Sequence, residues 1–398
     1  MTADHKIRIG VLYGGPSAEH DVSRASAASM VRALTGGRYT PVPIGISHDR
    51  EFVRLPESEA AARLRRADGV RPIEDALPVT GAPVQLVAEP GGSRALLASR
   101  ERPGEILDVV DVVFPLLHGP FGEDGQVQAM LDAVGVAYVG CGILGSAVGM
   151  DKIAMKRALI AEGVPVTPHV TIDERTWAGV DDPPKLVAGL RRPLFVKPAN
   201  LGSSIGISRV TRDEDFAAAV DLALEYDSWV IVEQGVTGRE LECSVLGGFS
   251  PQASPVGEVT VSGGWFDFDQ KYFADTDPMI VPAPLPDHIT QRVRELSVRS
   301  FTAAGCWGLA RVDFLYDEGA DQVYVNEINT MPGFTEYSMY PKVWAHAGLG
   351  YVALVDRLVE LAFERHAARL RRSAGGKPAT CPAPTTRPTP PTCPAATA

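Results

Sequence analysis

Two acidic residues and one asparagine late in the chain have the types and spacing of a divalent-cation site. Asp313 lies in one apolar segment and Glu327 and Asn329 lie in the next, within residues 308–329. Alternating and continuous apolar residues in both segments predict two β-strands, and polar residues 316–319 predict the turn between them. We therefore expect a β-hairpin that carries all three polar side chains.

Strand geometry predicts that these side chains face one another. Glu327 and Asn329 are two residues apart and so point to the same face, and antiparallel pairing brings Asp313 close to them. Carboxylate and amide oxygens are the hard ligands that Mg²⁺ prefers beside nucleotide phosphates. The alternative is a pair of solvated acids on a surface hairpin. The apolar neighbours favour the metal site, because a buried charge is costly without a compensating cation.

A glycine-containing loop follows the first predicted strand, residues 7–13, and leads into a helix that ends near residue 34. Such a loop directs backbone N–H groups at an anion. The G-x-G-x-x-G spacing is absent, which disfavours a dinucleotide-dependent oxidoreductase. Glu19 and His20 begin the helix. Glu19 is a candidate functional residue, and the alternative is a first-turn carboxylate that only complements the helix dipole.

His118 directly follows residues 106–117, which predict one buried parallel strand. Ligands of open α/β sheets bind beyond the carboxyl ends of strands, so His118 is a candidate functional residue. A structural histidine is the alternative. Residues 56–102 predict one strand, near 83–87, in a peripheral region. A helix is predicted over residues 150–161.

A third polar loop follows the strand that ends at Lys197 and contains Ser203 and Ser204. Backbone amides and hydroxyls there suit a polyphosphate, with Lys197 as a point charge. The Walker A order is absent, and a plain turn is the alternative. Further on, the connection between strands 229–236 and 239–246 suits an adenine, with Glu240 for the ribose. The aromatic and charged segment 265–274 suits a loop that closes over a ligand.

Size and composition limit the class of protein. A chain of 398 residues suits two or three domains, and its net charge of −11 argues against non-specific nucleic-acid binding. No run of about twenty apolar residues predicts a membrane span, and no signal peptide precedes the first strand. Five cysteines without metal-ligand spacing indicate reduced thiols in a cytoplasmic protein. Residues 373–398 are rich in Pro, Thr and Ala and predict a disordered tail.

Four motifs in this order identify a family. They are Gly-Gly-x-Ser-Ala-Glu-His-x-Val-Ser (14–23), Leu-His-Gly-x-x-Gly-Glu-Asp-Gly (117–125), Val-Lys-Pro-x-x-x-Gly-Ser-Ser-x-Gly (196–206) and Asn-Glu-Ile-Asn-Thr-x-Pro-Gly (326–333). The chain resembles the D-alanine–D-alanine ligases of the ATP-grasp superfamily from Ile7 to about Arg372, apart from the variable region after Pro56. None of the four motifs identifies the family alone, whereas the set is highly specific.

The resemblance implies an α/β protein with an ATP-grasp fold. Residues 1–148 would form a Rossmann-like (pre-ATP-grasp) domain that binds the first substrate. Residues 149–238 and 239–372 would form the central and C-terminal ATP-grasp subdomains, the latter with the metal site, before the disordered tail 373–398.

The resemblance also implies roles for particular residues. The expected ATP-binding residues are Lys152, Lys197, Ser203, Ser204, Glu233, Gln234, Val236, Glu240 and Asn326, and those for two Mg²⁺ or Mn²⁺ ions are Asp313, Glu327 and Asn329. The expected substrate-binding residues are Glu19 and His118 for the first D-alanine and Lys271 and Ser338 for the second. Arg311 and the backbone N–H of Gly333 would form an oxyanion hole, and Glu19, Ser203 and Tyr272 would hold the closing loop shut. Gln234 departs from the family, since many relatives have a lysine there.

The implied reaction joins two D-alanines for peptidoglycan synthesis. ATP would phosphorylate the first D-alanine to an acyl phosphate, and the amine of the second would attack it. The Lys271-Tyr272 pair favours the dipeptide, whereas a histidine in this loop is typical of relatives that use D-lactate. D-lactate or D-serine as acceptor remains an alternative, as does a non-catalytic nucleotide-binding regulator. The expected partners are ATP, D-alanine and a second copy of the chain, without nucleic acid or membrane.

Overall fold

The computed structural model describes residues 6–66, 76–260 and 279–373 and places their strands in three sheets. The first sheet has eight strands in the order β6-β5-β4-β3-β2-β1-β7-β8. These strands are β1 (Ile7–Gly14), β2 (Tyr39–Ile46), β3 (Phe52–Arg54), β4 (Ala82–Ala88), β5 (Ala95–Ser99), β6 (Ile106–Val110), β7 (Val112–Pro115) and β8 (Ala137–Tyr138). The pairs β1–β2, β1–β7 and β7–β8 are parallel.

Strand β1, which pairs in parallel with β2 and β7, is buried on both faces, as expected for a parallel strand covered on both sides. Val11 and Tyr13 belong to one core and Leu12 to another. The described residues of this part of the chain form four helices. They are α1 (His20–Leu34), α2 (Glu57–Arg66), α3 (Gln126–Val134) and α4 (Ile143–Met150).

Two predictions for this part of the chain are wrong. Residues 106–117 do not form one parallel strand, because the chain turns at Asp111. The Asp111 carboxylate accepts the backbone N–H of Arg8 at 2.8 Å, and the backbone N–H of Asp111 donates to the Arg8 carbonyl at 2.9 Å. As a result β6 pairs antiparallel with β5, and β7 pairs parallel with β1. Within the described part of the region 56–102, the predicted strand near 83–87 is present as β4, but helix α2 and strand β5 are present as well and were not predicted.

The second sheet has four antiparallel strands in the order β11-β10-β12-β9. They are β9 (His169–Asp173), β10 (Leu194–Pro198), β11 (Ser208–Val210) and β12 (Trp229–Gln234). The helices of this part are α5 (Lys152–Ala161), α6 (Glu174–Trp177) and α7 (Phe216–Leu224). The helix predicted over residues 150–161 begins at Lys152, because the Asp151 carboxylate accepts the Ala154 N–H at 2.7 Å and caps it.

The third sheet has five antiparallel strands in the order β15-β14-β13-β16-β17. They are β13 (Arg239–Gly247), β14 (Gln252–Val259), β15 (Met279–Ile280), β16 (Gly308–Asp317) and β17 (Gln322–Asn329). The helices are α8 (Asp287–Ala303), α9 (Met339–His346) and α10 (Tyr351–Ser373). Ile289, Val293 and Leu296 lie at helical spacing on α8, and they pack with buried residues of the sheet into one core.

Three cysteines in the described part of the chain, Cys141, Cys243 and Cys306, are buried and free. None of the helices within the described ranges is long and apolar enough to cross a membrane. The predicted tail beyond Ser373 lies outside the described residues. The predicted closing loop at 265–274 also lies outside them.

Candidate active site

The hairpin of β16 and β17 brings the predicted metal ligands together. Asp313 pairs with Glu327, and Arg311 pairs with Asn329. Asn329 Nδ2 lies 2.8 Å from Asp313 Oδ2. The predicted proximity of the three ligands is confirmed for Asp313 and its two partners on β17. The predicted turn at 316–319 is wrong by two residues, since β16 continues to Asp317 and β17 begins at Gln322.

An irregularity in the hairpin sets which side chains face the site. Phe314 pairs with Val325, whereas the preceding residue Asp313 pairs with Glu327, so Asn326 is an extra residue on β17. Val325 and Ile328 are both buried in the core. This β-bulge shifts the alternation by one residue and lets Glu327 share a face with Asp313 while the core contacts continue on both sides of it. Asn326, predicted to contact ATP, is therefore the bulged residue.

Arg311 makes a two-pronged ion pair with Asp313. Its Nε lies 2.7 Å from Oδ1 and its Nη2 lies 2.7 Å from Oδ2. Nε also lies 3.1 Å from Glu242 Oε2 on the neighbouring strand β13. Burial alone would lower the pKa of Arg311, but the two carboxylates outweigh it and raise that pKa well above its ordinary value. The predicted oxyanion-binding residue is thus a permanently charged group held in one orientation.

The donor set around Asp313 fits a magnesium ion. Within the described ranges, no group of three or more His, Cys, Asp or Glu side chains is arranged to hold a metal. Mg²⁺ does not need such a group, because it typically takes one or two carboxylates and completes its shell with phosphate oxygens and water. Asp313 and Glu327 supply two carboxylates, and rotating the Asn329 amide presents its oxygen in place of nitrogen. These three residues would hold the ion, and their role remains a prediction.

Two lysines share one buried glutamate at the predicted nucleotide site. Phe195 of β10 pairs with Glu233 of β12, so Lys197, two residues along β10, lies on the same face as Glu233. Lys197 Nζ lies 2.5 Å from Glu233 Oε2, and Lys156 Nζ lies 2.6 Å from Oε1. Burial would raise the pKa of Glu233, but the two lysines lower it far below its ordinary value. Sequence reasoning missed Lys156, which belongs to none of the four motifs.

Lys152 is the first residue of α5 and connects this helix to the Gly/Ser loop that contains Ser203 and Ser204. Its Nζ donates to the Leu201 carbonyl at 2.5 Å, and its backbone N–H donates to the Ala199 carbonyl at 2.9 Å. Burial lowers the pKa of Lys152, while the charge of Glu327 acts to raise it. Lys152, predicted to contact ATP, therefore lies between the loop and the metal-binding hairpin.

The remaining predicted nucleotide contacts surround the connection between β12 and β13. Gln234 is mostly buried and its Oε1 accepts the backbone N–H of Arg191 at 3.0 Å. Val236 lies in the connection itself and Glu240 lies near the start of β13. The side chain of Glu233 faces the two lysines, so an adenine contact from this residue falls to its backbone. The roles of all four residues remain predictions.

Glu19 and Ser203 line one cavity of about 320 Å³. Glu19 follows the loop after β1, which passes so close to β2 that a Cβ on Gly14, at a φ of 90°, would lie 2.4 Å from the Ile46 carbonyl oxygen. Ser203 and Ser204 have φ values of 55° and 58°, a conformation that non-glycine residues rarely adopt and that is concentrated at functional sites. Tyr272 and Lys271, the other predicted residues of the closing loop, lie outside the described residues.

His118 is buried and joins two of the motif loops. Its Nδ1 lies 2.8 Å from the Met331 carbonyl oxygen, so Nδ1 carries the proton and donates it. Its Nε2 lies 3.5 Å from Ser26 Oγ, and Ser17 Oγ donates to the His118 carbonyl at 2.7 Å. These contacts show the structural role that was one of the two alternatives. The predicted catalytic and substrate-binding role remains a prediction.

Glu123 is a residue of the second motif to which sequence reasoning gave no role. Its two carboxyl oxygens accept the backbone N–H groups of Gly119 at 2.7 Å and of Met331 at 3.0 Å. Burial, together with the nearby negative charge of Glu19, raises the pKa of Glu123 to about 8. Its carboxyl group thus clamps the loop after β7 to the loop after β17. The glycine-rich loop around Glu123 is visible in the sequence, but the contact with Met331, 208 residues later, is not.

Gly333 and Ser338 lie together beyond the hairpin. A Cβ on Gly333 would lie 3.1 Å from Ser338 Oγ. Ser338 Oγ accepts the Thr335 N–H at 3.1 Å and lies 2.8 Å from Thr335 Oγ1. The predicted oxyanion-hole amide and the predicted carboxylate-binding hydroxyl are therefore neighbours at the end of the strand that carries Glu327 and Asn329.

Comparisons with known proteins cover most of the chain. The family model "D-ala D-ala ligase N-terminus" matches residues 8–141, and "D-ala D-ala ligase C-terminus" matches residues 158–360. D-alanine–D-alanine ligase A of Escherichia coli (strain K12) is 43% identical over 365 residues, which are 91% of this chain and 97% of that protein. The D-alanine–D-alanine ligase of Mycolicibacterium smegmatis is 46% identical over 373 residues, 90% of this chain and 96% of that protein.

Solved structures agree with the sequence relatives. The D-alanine-D-alanine ligase from Coxiella burnetii superimposes with a TM-score of 0.78 at 32% identity, covering 94% of this chain and 98% of that one. The VanG D-Ala:D-Ser ligase from Enterococcus faecalis superimposes with a TM-score of 0.75 at 32% identity, covering 90% and 100%. The expected α/β ATP-grasp fold is confirmed by these matches, and the chain belongs to the D-alanine–D-alanine ligase family.

Proposed function

We propose that this chain joins two D-alanine molecules to D-alanyl-D-alanine with ATP, for peptidoglycan synthesis. One observation carries the proposal: a single hairpin holds Arg311 and Asp313 on one strand and Glu327 and Asn329 on the other. Carboxylates and an amide can hold the metal that assists phosphoryl transfer, and a fixed cation can stabilise the oxyanion of an acyl transfer. The hairpin supplies both, because Arg311 pairs with Asn329 and Asp313 pairs with Glu327.

Different residues of the chain serve the phosphoryl transfer and the acyl transfer. Lys152 and Lys197 bind ATP phosphates, and the cavity with Glu19 and Ser203 orients the first D-alanine, whose carboxylate attacks the γ-phosphorus while ADP leaves. When bound, magnesium neutralises the charge that builds up on the phosphates. Arg311 and the N–H of Gly333 then stabilise the oxyanion as the second amine attacks and inorganic phosphate leaves.

Domain limits, assembly and location complete the proposal. The proposed domain limits are residues 148 and 238, and they are supported by their positions between strands of different sheets. The chain acts as a homodimer in the cytoplasm, where the buried free thiols Cys141, Cys243 and Cys306 stay reduced. Sedimentation at several protein concentrations tests the dimer, and a monomer throughout would contradict it.

Phosphate release tests the reaction. Purified protein with ATP and Mg²⁺ should release phosphate only when D-alanine is added, and mass spectrometry should show the dipeptide. Release that does not depend on D-alanine would reject the proposal, and nucleotide binding without release would favour the non-catalytic regulator.

D-serine is the second candidate acceptor, because the VanG D-Ala:D-Ser ligase shares this fold over its whole length. The Lys271-Tyr272 pair favours D-alanine instead. Equal concentrations of D-alanine, D-serine and D-lactate in one reaction should give mainly D-alanyl-D-alanine. A larger yield of either mixed product would reassign the acceptor.

A further inference from the structure

Lys156 is a buried lysine that the proposed reaction does not use. Its side chain is fully buried on α5, one helical turn after Lys152. Its Nζ lies 2.6 Å from Glu233 Oε1 and 3.1 Å from Thr167 Oγ1. A lysine is almost never fully buried without a partner, because loss of hydration disfavours its charge. Glu233 supplies that partner.

Glu233 serves two lysines at once. Its other oxygen, Oε2, lies 2.5 Å from Lys197 Nζ. The three side chains carry one negative and two positive charges, which leaves a net charge of about +1 beside the Gly/Ser loop. Removing Lys156 would leave Lys197 and Glu233 as a neutral pair. The carboxylate would then repel a phosphate about as strongly as the lysine attracts it.

We propose that Lys156 is a positioning residue for nucleotide binding, since it neutralises Glu233 and so leaves the charge of Lys197 available to a phosphate of ATP. The inference rests on the proposed function in one respect, the assignment of Lys197 to a phosphate. Lys156 itself is shielded from the nucleotide by Glu233 and acts through that residue. When Lys197 turns toward the phosphate, Glu233 keeps Lys156 as its counter-ion.

The substitution Lys156→Met separates this role from simple packing, because methionine keeps most of the length and removes the charge. We expect ATP with Mg²⁺ to bind about thirtyfold more weakly, the effect of one unit charge lost roughly 8 Å from a phosphate at an effective dielectric constant of about 20. Calorimetry gives the Kd, and kinetics should show a higher KM for ATP with the KM for D-alanine nearly unchanged. Lys185→Met is the matched control, since Lys185 forms an exposed ion pair with Asp182.

The double variant Lys156→Met with Glu233→Gln keeps the test informative if the single variant folds poorly. Without the charge of Glu233 there is nothing for Lys156 to neutralise, so ATP affinity should recover most of the loss. Normal ATP affinity in Lys156→Met, or an equal loss in the single and double variants, would overturn the proposal. If wild-type protein binds ATP but releases no phosphate with D-alanine, the proposed reaction fails, while the Kd comparison still tests Lys156.

Discussion

Replacing Glu123 with glutamine should change how the stability of the protein depends on pH. The pKa of Glu123 is raised from 4.5 to about 8 in the folded protein, by burial and by the charge of Glu19. Between these values the folded protein keeps a proton that the unfolded chain has lost. The free energy of unfolding therefore gains a contribution that is complete below pH 4.5 and is lost as pH rises through about 8.

The raised pKa of Glu123 sets the size of its contribution to the free energy of unfolding. At about 1.4 kcal/mol per pH unit, this contribution falls by at most about 4 kcal/mol between about pH 5 and about pH 8. Water that enters when the carboxyl group ionises would reduce that value. Glutamine does not titrate, so this part of the pH dependence should disappear in Glu123→Gln. The variant should also lose about 1–3 kcal/mol at low pH, because its amide accepts only one of the two N–H groups well.

Urea unfolding of wild-type and variant protein across this pH range measures the effect, and the difference between the two curves removes every other titrating group. Glu225→Gln, a change of an exposed acid, is the matched control and should leave the curve unchanged. Parallel curves for wild type and Glu123→Gln would show that Glu123 ionises normally in the folded protein, and the reasoning from its burial would be refuted.

Three further changes test the site itself. Glu327→Gln should abolish phosphate release and leave the unfolding transition unchanged, and near-normal rates would refute the metal assignment. Arg311→Lys keeps the charge but loses the two-pronged contact with Asp313, and kcat should fall by about 100-fold or more; a normal kcat would remove Arg311 from the oxyanion hole. Ser203→Ala should raise the KM for D-alanine several-fold, about the effect of one lost hydrogen bond. A change only in the KM for ATP would show that Ser203 acts on the nucleotide and not, with Glu19, on D-alanine.

The hairpin was predictable because its signal is local. Alternating apolar residues gave both strands, and the order of polar residues gave the facing pair Asp313 and Glu327. The β-bulge was not predicted, although the apolar alternation that includes Val325 shifts by one residue before Ile328. Only the turn was misplaced, because Tyr316 and Asp317 are polar enough to resemble a turn yet still pair with Val323 and Gln322.

The split of residues 106–117 was not predictable from local pattern. The run is apolar on both sides of Asp111, and the chain turns there because Asp111 bonds to the backbone of Arg8, about a hundred residues earlier. The same reason hides Lys156 and Glu123. Their partners, Glu233 and Met331, come from other elements, so their roles depend on how sheets and loops pack and not on spacing in the sequence.

The net charge of −11 shows why the buried pairs of lysine and glutamate matter for nucleotide binding by this chain. An acidic protein attracts a nucleotide only where local pairs reverse the overall field, and charges more than about 10 Å apart are largely screened. Lys152, Lys156 and Lys197 lie near Glu233 and Glu327, so each buried cation raises the cost of the others and each carboxylate lowers it. These three lysines and two carboxylates leave a net charge of about +1, which one more carboxylate would cancel. The pairing of Lys156 and Lys197 through Glu233 therefore determines how much of the local positive charge a phosphate can use.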